Sequence, residues 1–263
     1  MSKFFFYPFL SKSKDWILLS EEETKHLMAN RIKIGEKITL WNGRGFLLEA
    51  RLEAYHGKRA KAKIEENWAG KNVNPACRTG FQLFQALLKS TSRTDWLVEK
   101  ATEIGVSCIY FFPTMHSLKK TISKSNLKRW RRIALSACKQ SGHPFLPRIG
   151  FLKDIKKVAH KLESTVGTKL IADPQTQKTL SEYLKHSHPN TKNKQKNLLF
   201  LVGPEGDFSK SEKESFAKMG CIPVLLSRTV LRSETAAIFG LAVIKSHFED
   251  MYAHEICYQN SGL

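Results

Sequence analysis

Residues 198–208 read Leu198-Leu199-Phe200-Leu201-Val202-Gly203-Pro204-Glu205-Gly206-Asp207-Phe208. Five apolar residues followed by a glycine–proline turn read as a strand that ends in a loop. Ser209 and Glu212 then have the spacing of a capping box, in which each side chain satisfies a free amide at a helix start, and the helix runs to Met219. The same alternation extends in both directions. Upstream come the apolar run Phe81–Leu88, helical spacing from Thr94 to Ile104 stopped by Gly105, and a strand Cys108–Phe112 ended by Pro113. A basic amphipathic helix from Asn126 to Gln140 closes at Ser141-Gly142, and the strand Lys169–Ala172 ends in Asp173-Pro174. Downstream lie a strand Cys221–Leu226 and a long closing helix from Glu234 to Tyr252. Strands alternating with helices predict an α/β fold with a mostly parallel sheet covered by helices.

The first seventy residues follow a different pattern. Phe4 to Leu10 is apolar but short and contains Pro8, so it reads as a strand rather than a signal peptide. Ser20 to Glu23 has the form of a capping box opening a short helix through His26 and Leu27. Lys37–Trp41 and Phe46–Leu52, joined by Asn42-Gly43-Arg44-Gly45, predict a hairpin. Arg59 to Ile64 alternates basic and apolar residues, as an edge or half-buried strand does. A small β-barrel is expected over residues 1–70. A breaker-rich linker follows it, taken as 71–80, and the α/β domain occupies 81–263. The Lys- and Asn-rich stretch 185–197 reads as a surface loop.

The 263-residue chain carries 43 Lys and Arg against 24 Asp and Glu, a formal charge of +19. Residues 71–148 hold fourteen basic and three acidic side chains, while the segments on either side each carry only +4. Charge so concentrated draws polyanions, nucleic acid first and an anionic membrane surface second. Five widely spaced cysteines, with no CxxC and no Cys/His cluster, point to neither a disulfide frame nor a metal site and fit cytoplasmic usage. No run of eighteen apolar residues is present, so no membrane span is expected.

In a parallel α/β sheet, ligands sit at the carboxyl ends of strands. Two loops there stand out. Gly203 to Gly206 lets backbone groups approach a ligand closely, yet it is neither GxGxxG nor a P-loop, and such a turn also serves as plain connection. Leu225-Leu226-Ser227-Arg228-Thr229-Val230-Leu231-Arg232-Ser233-Glu234 leads a strand through a basic loop into an apolar helix. Ser233 suits an N-cap, and Glu234 suits the positive helix start. Arg232 faces the wrong end of the helix dipole, so it is expected to answer an anion.

Gly203-Pro204-Glu205-Gly206 with Leu231-Arg232-Ser233-Glu234-Thr235-Ala236 resembles the paired signature of the bacterial 16S ribosomal RNA uridine-N3 methyltransferases, the RsmE family. Lys89, Arg93, Asp95 and Trp96 before Glu99-Lys100-Ala101-Thr102-Glu103-Ile104-Gly105 are similar to that family's central helix, and Lys139-Gln140-Ser141-Gly142 is similar to its following turn. His26, Arg31, Gly35 and the Asn42-Gly43 hairpin match its N-terminal part. The chain departs from the pattern at His116, Asp207 and Ser227.

The resemblance implies a C-terminal SPOUT-type trefoil-knot domain and an N-terminal PUA-like β-barrel. It further implies a homodimer acting on 16S rRNA or the small ribosomal subunit, with S-adenosylmethionine as methyl donor. The donor would contact Ala172, Val202, Gly203, Pro204, Glu205, Gly206, Leu225, Leu226, Ser227, Val230 and Leu231. Arg232 and Glu234 would act at the target base, with Glu234 orienting Arg232 or accepting a proton. The candidates for RNA contact are Arg31, Lys89, Arg93, Lys100, Arg129 and Arg132, while Trp130 is read as core. A SPOUT enzyme acting on a ribose 2′-hydroxyl or on transfer RNA is an alternative, as is a non-catalytic ribosome-assembly protein.

Overall fold

A computed structural model describes residues 4–10, 15–65, 71–72, 80–186 and 197–252, and the chain forms two compact units. One comprises Met1–Cys77 with Leu135–Leu146, the other Arg78–Ala134 with Pro147–Leu263.

The first unit is a mixed sheet with one helix. Its elements are β1 (Phe4–Phe6), β2 (Trp16–Leu18), α1 (Glu21–Ala29), β3 (Lys37–Trp41), β4 (Phe46–His56), β5 (Arg59–Ile64) and β6 (Lys71–Asn72). The strand order is β1-β3-β4-β5-β2, with β6 also on β4, and only the β1–β3 pairing is parallel. The hairpin at Asn42 forms as expected. Its side-chain oxygen accepts the amides of Arg44 (2.8 Å) and Phe46 (3.2 Å), a local bond that reverses the chain. The alternating strand β5 buries Ala60 and Ala62, but it lies between β4 and β2 rather than at an edge. Phe5, Ile17, Leu27, Ile38, Leu40 and Leu52 close the core.

Only half of the expected box at Ser20 forms. Ser20 Oγ accepts the Glu23 amide at 3.2 Å, as an N-cap does. The Glu23 carboxylate instead accepts the Phe6 amide (3.1 Å) and pairs with Lys139 from the 135–146 segment. The two side chains are only 3% and 11% exposed, so each neutralises a charge that water does not reach.

The second unit runs β7 (Gly80–Ala86), α2 (Thr91–Ile104), β8 (Cys108–Phe112), α3 (Lys124–Ser141) and β9 (Arg148–Phe151). It continues through α4 (Ile155–Glu163), β10 (Thr168–Ala172), α5 (Leu180–His186), β11 (Asn197–Val202), α6 (Lys210–Lys218), β12 (Ile222–Val224) and α7 (Ser233–Tyr252). The last turns of α3, from Leu135, belong to the first unit. The strand order is β12-β10-β11-β7-β8-β9, and every described pairing is parallel. The sequence pattern passes over β2, β9, α4 and α5; in α4 only Val158 and Leu162 are buried among the lysines. Of the predicted linker, residues 71–72 form β6 and Gly80 opens β7, whereas 73–79 lie outside the described residues. Of the predicted surface loop, 185–186 end α5, residue 197 opens β11, and 187–196 lie outside.

Phe84, Phe112, Leu199 and Leu201 on one sheet face pack with Val158 and Leu162 of α4 and Phe216 of α6. On the other face α7 packs against α2 and against β7 and β11. Gly240 lets α7 approach this closely, because a Cβ there would run into the Phe200 ring. Trp130 of α3 is core, 2% exposed, with its ring 4.4 Å from that of Phe111. The chain leaves β7 through α2 towards β8 on one side, and leaves the neighbouring β11 through α6 towards β12 on the other. Connections that diverge between adjacent parallel strands open a crevice at their carboxyl ends.

Two stability outcomes are expected. Gly240→Val overpacks the contact with Phe200 and lowers unfolding stability by about 1–3 kcal/mol in urea titration; an unchanged midpoint contradicts the close approach. Glu23→Ala strands the Lys139 charge and costs about 3–5 kcal/mol. Adding Lys139→Met to Glu23→Ala should recover most of that loss, and additive losses in this cycle would exclude the pairing.

Candidate functional site

The crevice between β7 and β11 is closed by a small group of hydrogen bonds. The Gly203 carbonyl, just past β11, accepts the Ser233 hydroxyl and, at 3.4 Å, the side-chain amide of Gln85 near the end of β7. The same Gln85 amide donates to Ser233 Oγ at 2.9 Å and to the Ala86 carbonyl at 3.0 Å. All three residues are buried. The Gly203 loop and the segment carrying Leu231 and Arg232 therefore meet at one end of the sheet. Ser233 differs here from its expected role: it is the first helical residue, and its hydroxyl is directed to Gly203 rather than to the helix amides. Arg232 occupies the capping position instead, since its carbonyl accepts the Ala236 amide at 2.8 Å.

Asp207, one of the departures from the resembled pattern, adopts φ +58°. Aspartate tolerates this left-handed conformation better than most residues, and its Oδ1 accepts the Phe208 amide at 2.7 Å. His116 supports the same turn from the segment after β8. Its Nδ1 lies 2.9 Å from the Gly206 carbonyl and 3.1 Å from that of Asp207; carbonyls only accept, so Nδ1 carries the proton. A side chain at position 206 would press on His116, with a Cβ 3.1 Å from that of His116. Lys213 of α6 bridges Asp207 and Asp173, at 2.8 Å from each, and so ties the loop after β11 to the loop after β10. Burial alone would lower the Lys213 pKa, but its hydrogen bonds to the two carboxylates raise it above the ordinary lysine value.

The third loop joins them. The Asp173 amide donates to the Val224 carbonyl (3.0 Å), and Leu225 exchanges backbone bonds with Lys178 and Leu180, each 2.8 Å. Ala172, Val202 and Leu225 thus stand at neighbouring strand ends. Val202, Gly203 and Pro204 are buried; Ala172, Leu225, Leu226, Ser227 and Leu231 are half-buried; Glu205, Gly206 and Val230 are exposed. Ser227 closes a local turn by accepting the Thr229 amide at 3.1 Å.

Glu234 does not pair with Arg232. Its Oε1 lies 3.4 Å from Arg93 Nε of α2, and its Oε2 is buried without a partner among the described residues. Arg232 is exposed, and no carboxylate among the described residues pairs with it. Of the other basic candidates, Arg129 pairs with Asp95 at 2.6 Å and Lys100 with Glu99 and Glu103, each at 2.9 Å. Hydrogen bonds to these two glutamates raise the Lys100 pKa. Lys89 and Arg132 are exposed without an acidic partner among the described residues, and the Lys89 amide donates to Glu205 at 3.1 Å. In the first unit Arg31 is exposed at φ +56°. Among the described residues no group of His, Cys, Asp or Glu is placed to hold a metal, and no helix is long and apolar enough to cross a membrane.

Three contributors escaped the sequence reading: Gln85, Lys213 and the bracing role of His116. Gln85 left a signal as one of two polar residues inside the apolar run Phe81–Leu88, and His116 as a departure from the resembled pattern.

Residues 77–245 match the family described as RNA methyltransferase domain. Among curated proteins, the Ribosomal RNA small subunit methyltransferase E of Buchnera aphidicola is 28% identical over 239 residues, 87% of each chain. The solved Ribosomal RNA small subunit methyltransferase E of Neisseria gonorrhoeae, bound to S-adenosyl methionine, is similar at TM-score 0.75 and 25% identity, over 92% of this chain and 96% of that one. The Legionella pneumophila protein Lpg2936, solved in complex with bound SAM, is similar at TM-score 0.79 and 26% identity, over 94% of this chain and 98% of that one.

Gln85→Leu removes the amide that bridges the two loops. Loss of one or two buried hydrogen bonds, about 1–3 kcal/mol, should speed deuterium uptake at residues 203–206 and 233–236 by about tenfold or more. Unaltered exchange in both segments would show that Gln85 does not hold them.

Proposed function

Because the chain belongs to the RNA methyltransferase domain family, we propose that it transfers a methyl group from S-adenosylmethionine to small-subunit (16S) ribosomal RNA, at N3 of a uridine. The observation that carries this reading is the junction at Gly203. It joins a glycine-rich loop and the Arg232-Ser233-Glu234 segment at the diverging ends of a parallel sheet.

The residues suit the donor. Two buried acceptors, Gln85 Oε1 and Glu234 Oε2, lack partners among the described residues, and buried acceptors favour a ligand that brings N–H groups and positive charge. The pocket would be formed by Ala172, by Val202 to Gly206, by Leu225 to Ser227, and by Val230 and Leu231. When bound, S-adenosylmethionine supplies an electrophilic methyl group. The protein's own task is to place the nucleophile in line and to stabilise the charge it acquires.

Uracil N3 becomes nucleophilic once its proton departs, leaving negative charge on O2 and O4. Arg232, at the start of α7 and without a carboxylate partner among the described residues, is the cation we assign to that charge. Glu234 orients Arg93 rather than Arg232, consistent with their ion pair. Lys89, Arg93, Lys100, Arg129 and Arg132, with Arg31 in the first unit, are assigned to RNA contact. Lys100 must exchange its acidic partners for phosphate, whereas Arg93 and Arg129, whose guanidinium groups have further N–H donors, can meet phosphate and keep Glu234 and Asp95.

The reading extends to the whole chain: the second unit as a knotted SPOUT domain and the first as a PUA-like RNA-binding barrel. It also takes the protein as a cytoplasmic homodimer. Similarity along nearly the entire chain to proteins of this kind supports these assignments.

Arg232→Ala should slow single-turnover methylation of unmodified small-subunit RNA by about 100–1,000-fold, the usual effect of removing a group that meets developing charge. Donor affinity, measured by calorimetry, should stay nearly unchanged. Parallel losses in both would remove Arg232 from the chemical step.

A further inference from the structure

The second unit contains a cavity of about 320 Å³. Leu87, Leu88, Thr91, Thr94, Lys119 and Trp130 are among its lining residues. Leu87 and Leu88 immediately follow β7 and precede Lys89, whose amide donates to Glu205. The proposed donor loops leave β10, β11 and β12, whereas the cavity lies past the ends of β7 and β8. It is therefore on the side of the crevice left for the methyl acceptor.

The wall chemistry has two parts. One part favours an anion. The first turn of α2 (Thr91, Thr94) and that of α3 (Asn126, with Ser123 accepting its amide at 3.1 Å) both open on the cavity. Helix starts carry partial positive charge, commonly balanced by an acidic residue in the first turn. Neither helix has one there. No carboxylate among the described residues lines the cavity, and Lys119 adds an ammonium that donates to the Thr91 hydroxyl at 3.3 Å. Among the described residues no carboxylate pairs with Lys119.

The other part favours a flat ring. Leu87, Leu88, Ile122 and Trp130 supply an apolar floor. Trp130 is 2% exposed and its indole N–H has no partner among the described residues. A buried indole usually finds an acceptor, and a ring carbonyl at this floor would provide one. An anion beside a carbonyl-bearing ring is a nucleotide. The volume lies at the small end of ligand sites, about 300–1,000 Å³, which suits a single unit.

We propose that this cavity seats one nucleotide of the acceptor RNA. Its phosphodiester sits at the starts of α2 and α3 beside Lys119, and its base rests on Leu87, Leu88 and Trp130. The inference rests on the RNA methyltransferase reading above and adds a binding site and a positioning role for Lys119.

The test uses the full chain with Thr91→Phe, which fills the mouth from an exposed position, Lys119→Glu, which reverses its charge, and Lys119→Arg as the conservative control. Binding and methylation of unmodified small-subunit RNA are measured alongside donor affinity. Thr91→Phe and Lys119→Glu should weaken RNA binding and raise the KM for RNA by about tenfold, the scale of one lost charge-assisted contact. Donor affinity should hold, and Lys119→Arg should resemble the parent.

Parent-like RNA binding and KM in both disruptive variants would overturn the proposal. So would a matching loss of donor affinity, which would make the cavity part of the donor pocket. Uridine 5′-monophosphate and inorganic phosphate are titrated separately. If either binds as tightly as the RNA and loses affinity in the variants while RNA binding does not, the site serves a free nucleotide or phosphate, and the RNA assignment fails. A parent protein that binds RNA but transfers no methyl would refute the enzymatic reading, yet RNA binding lost in the two variants would still support the seat.

Discussion

The Gly203 carbonyl, held by the Ser233 hydroxyl and the Gln85 amide, is the contact on which the second unit's working end depends. Its three residues come from three places in the chain: the end of β7, the loop after β11 and the start of α7. A parallel sheet brings the ends of β7 and β11 together because they are neighbours in the sheet. It does not bring α7 there. The long apolar helix must cross β7 and β11, and Gly240 permits that crossing by leaving room for Phe200. Once α7 is seated, Arg232 and Glu234 at its start stand beside the glycine-rich loop.

The loop itself is held from outside. His116 supports the Gly206 and Asp207 carbonyls, and Lys213 joins Asp207 to Asp173. These contacts give the departure at Asp207 a structural setting. The residue takes a left-handed conformation, and its carboxylate serves both the Phe208 amide and Lys213. A turn held this way can place backbone groups against a ligand with little reorganisation on binding.

Charge is organised more finely than the net value of +19 suggests. The 71–148 segment has only three acidic residues, Asp95, Glu99 and Glu103, and each pairs with a basic side chain of that same segment. Lys89, Lys119 and Arg132, without an acidic partner among the described residues, lie in the second unit with Arg232. Exposed ion pairs are weak, so Lys100 can release Glu99 and Glu103 to a polyanion at small cost, whereas Asp95, the partner of Arg129, is only 14% exposed and costs more to strand. The buried Glu23–Lys139 pair of the first unit is different, because removing either partner leaves a charge out of reach of water.

Local pattern and composition carried much of the fold. The apolar run 198–202, the capping box at Ser209, the Asn42 hairpin and the concentration of basic residues could all be read without coordinates, because each depends on residues close in sequence. The same holds for the loops of the proposed donor pocket and for Trp130 as core. Elements with a sparse apolar pattern, such as α4, could not be read this way. Only the tertiary structure decided the strand order, the interior place of β5, the diversion of Glu23 to Lys139 and of Ser233 to Gly203, and the pairing of Glu234 with Arg93. In each case the deciding partner lies at least sixteen residues from the side chain concerned, or on another strand or helix. A side chain's hydrogen-bonding capacity is written in the sequence, but which distant group satisfies it depends on what the folded sheet and helices bring within about 3 Å.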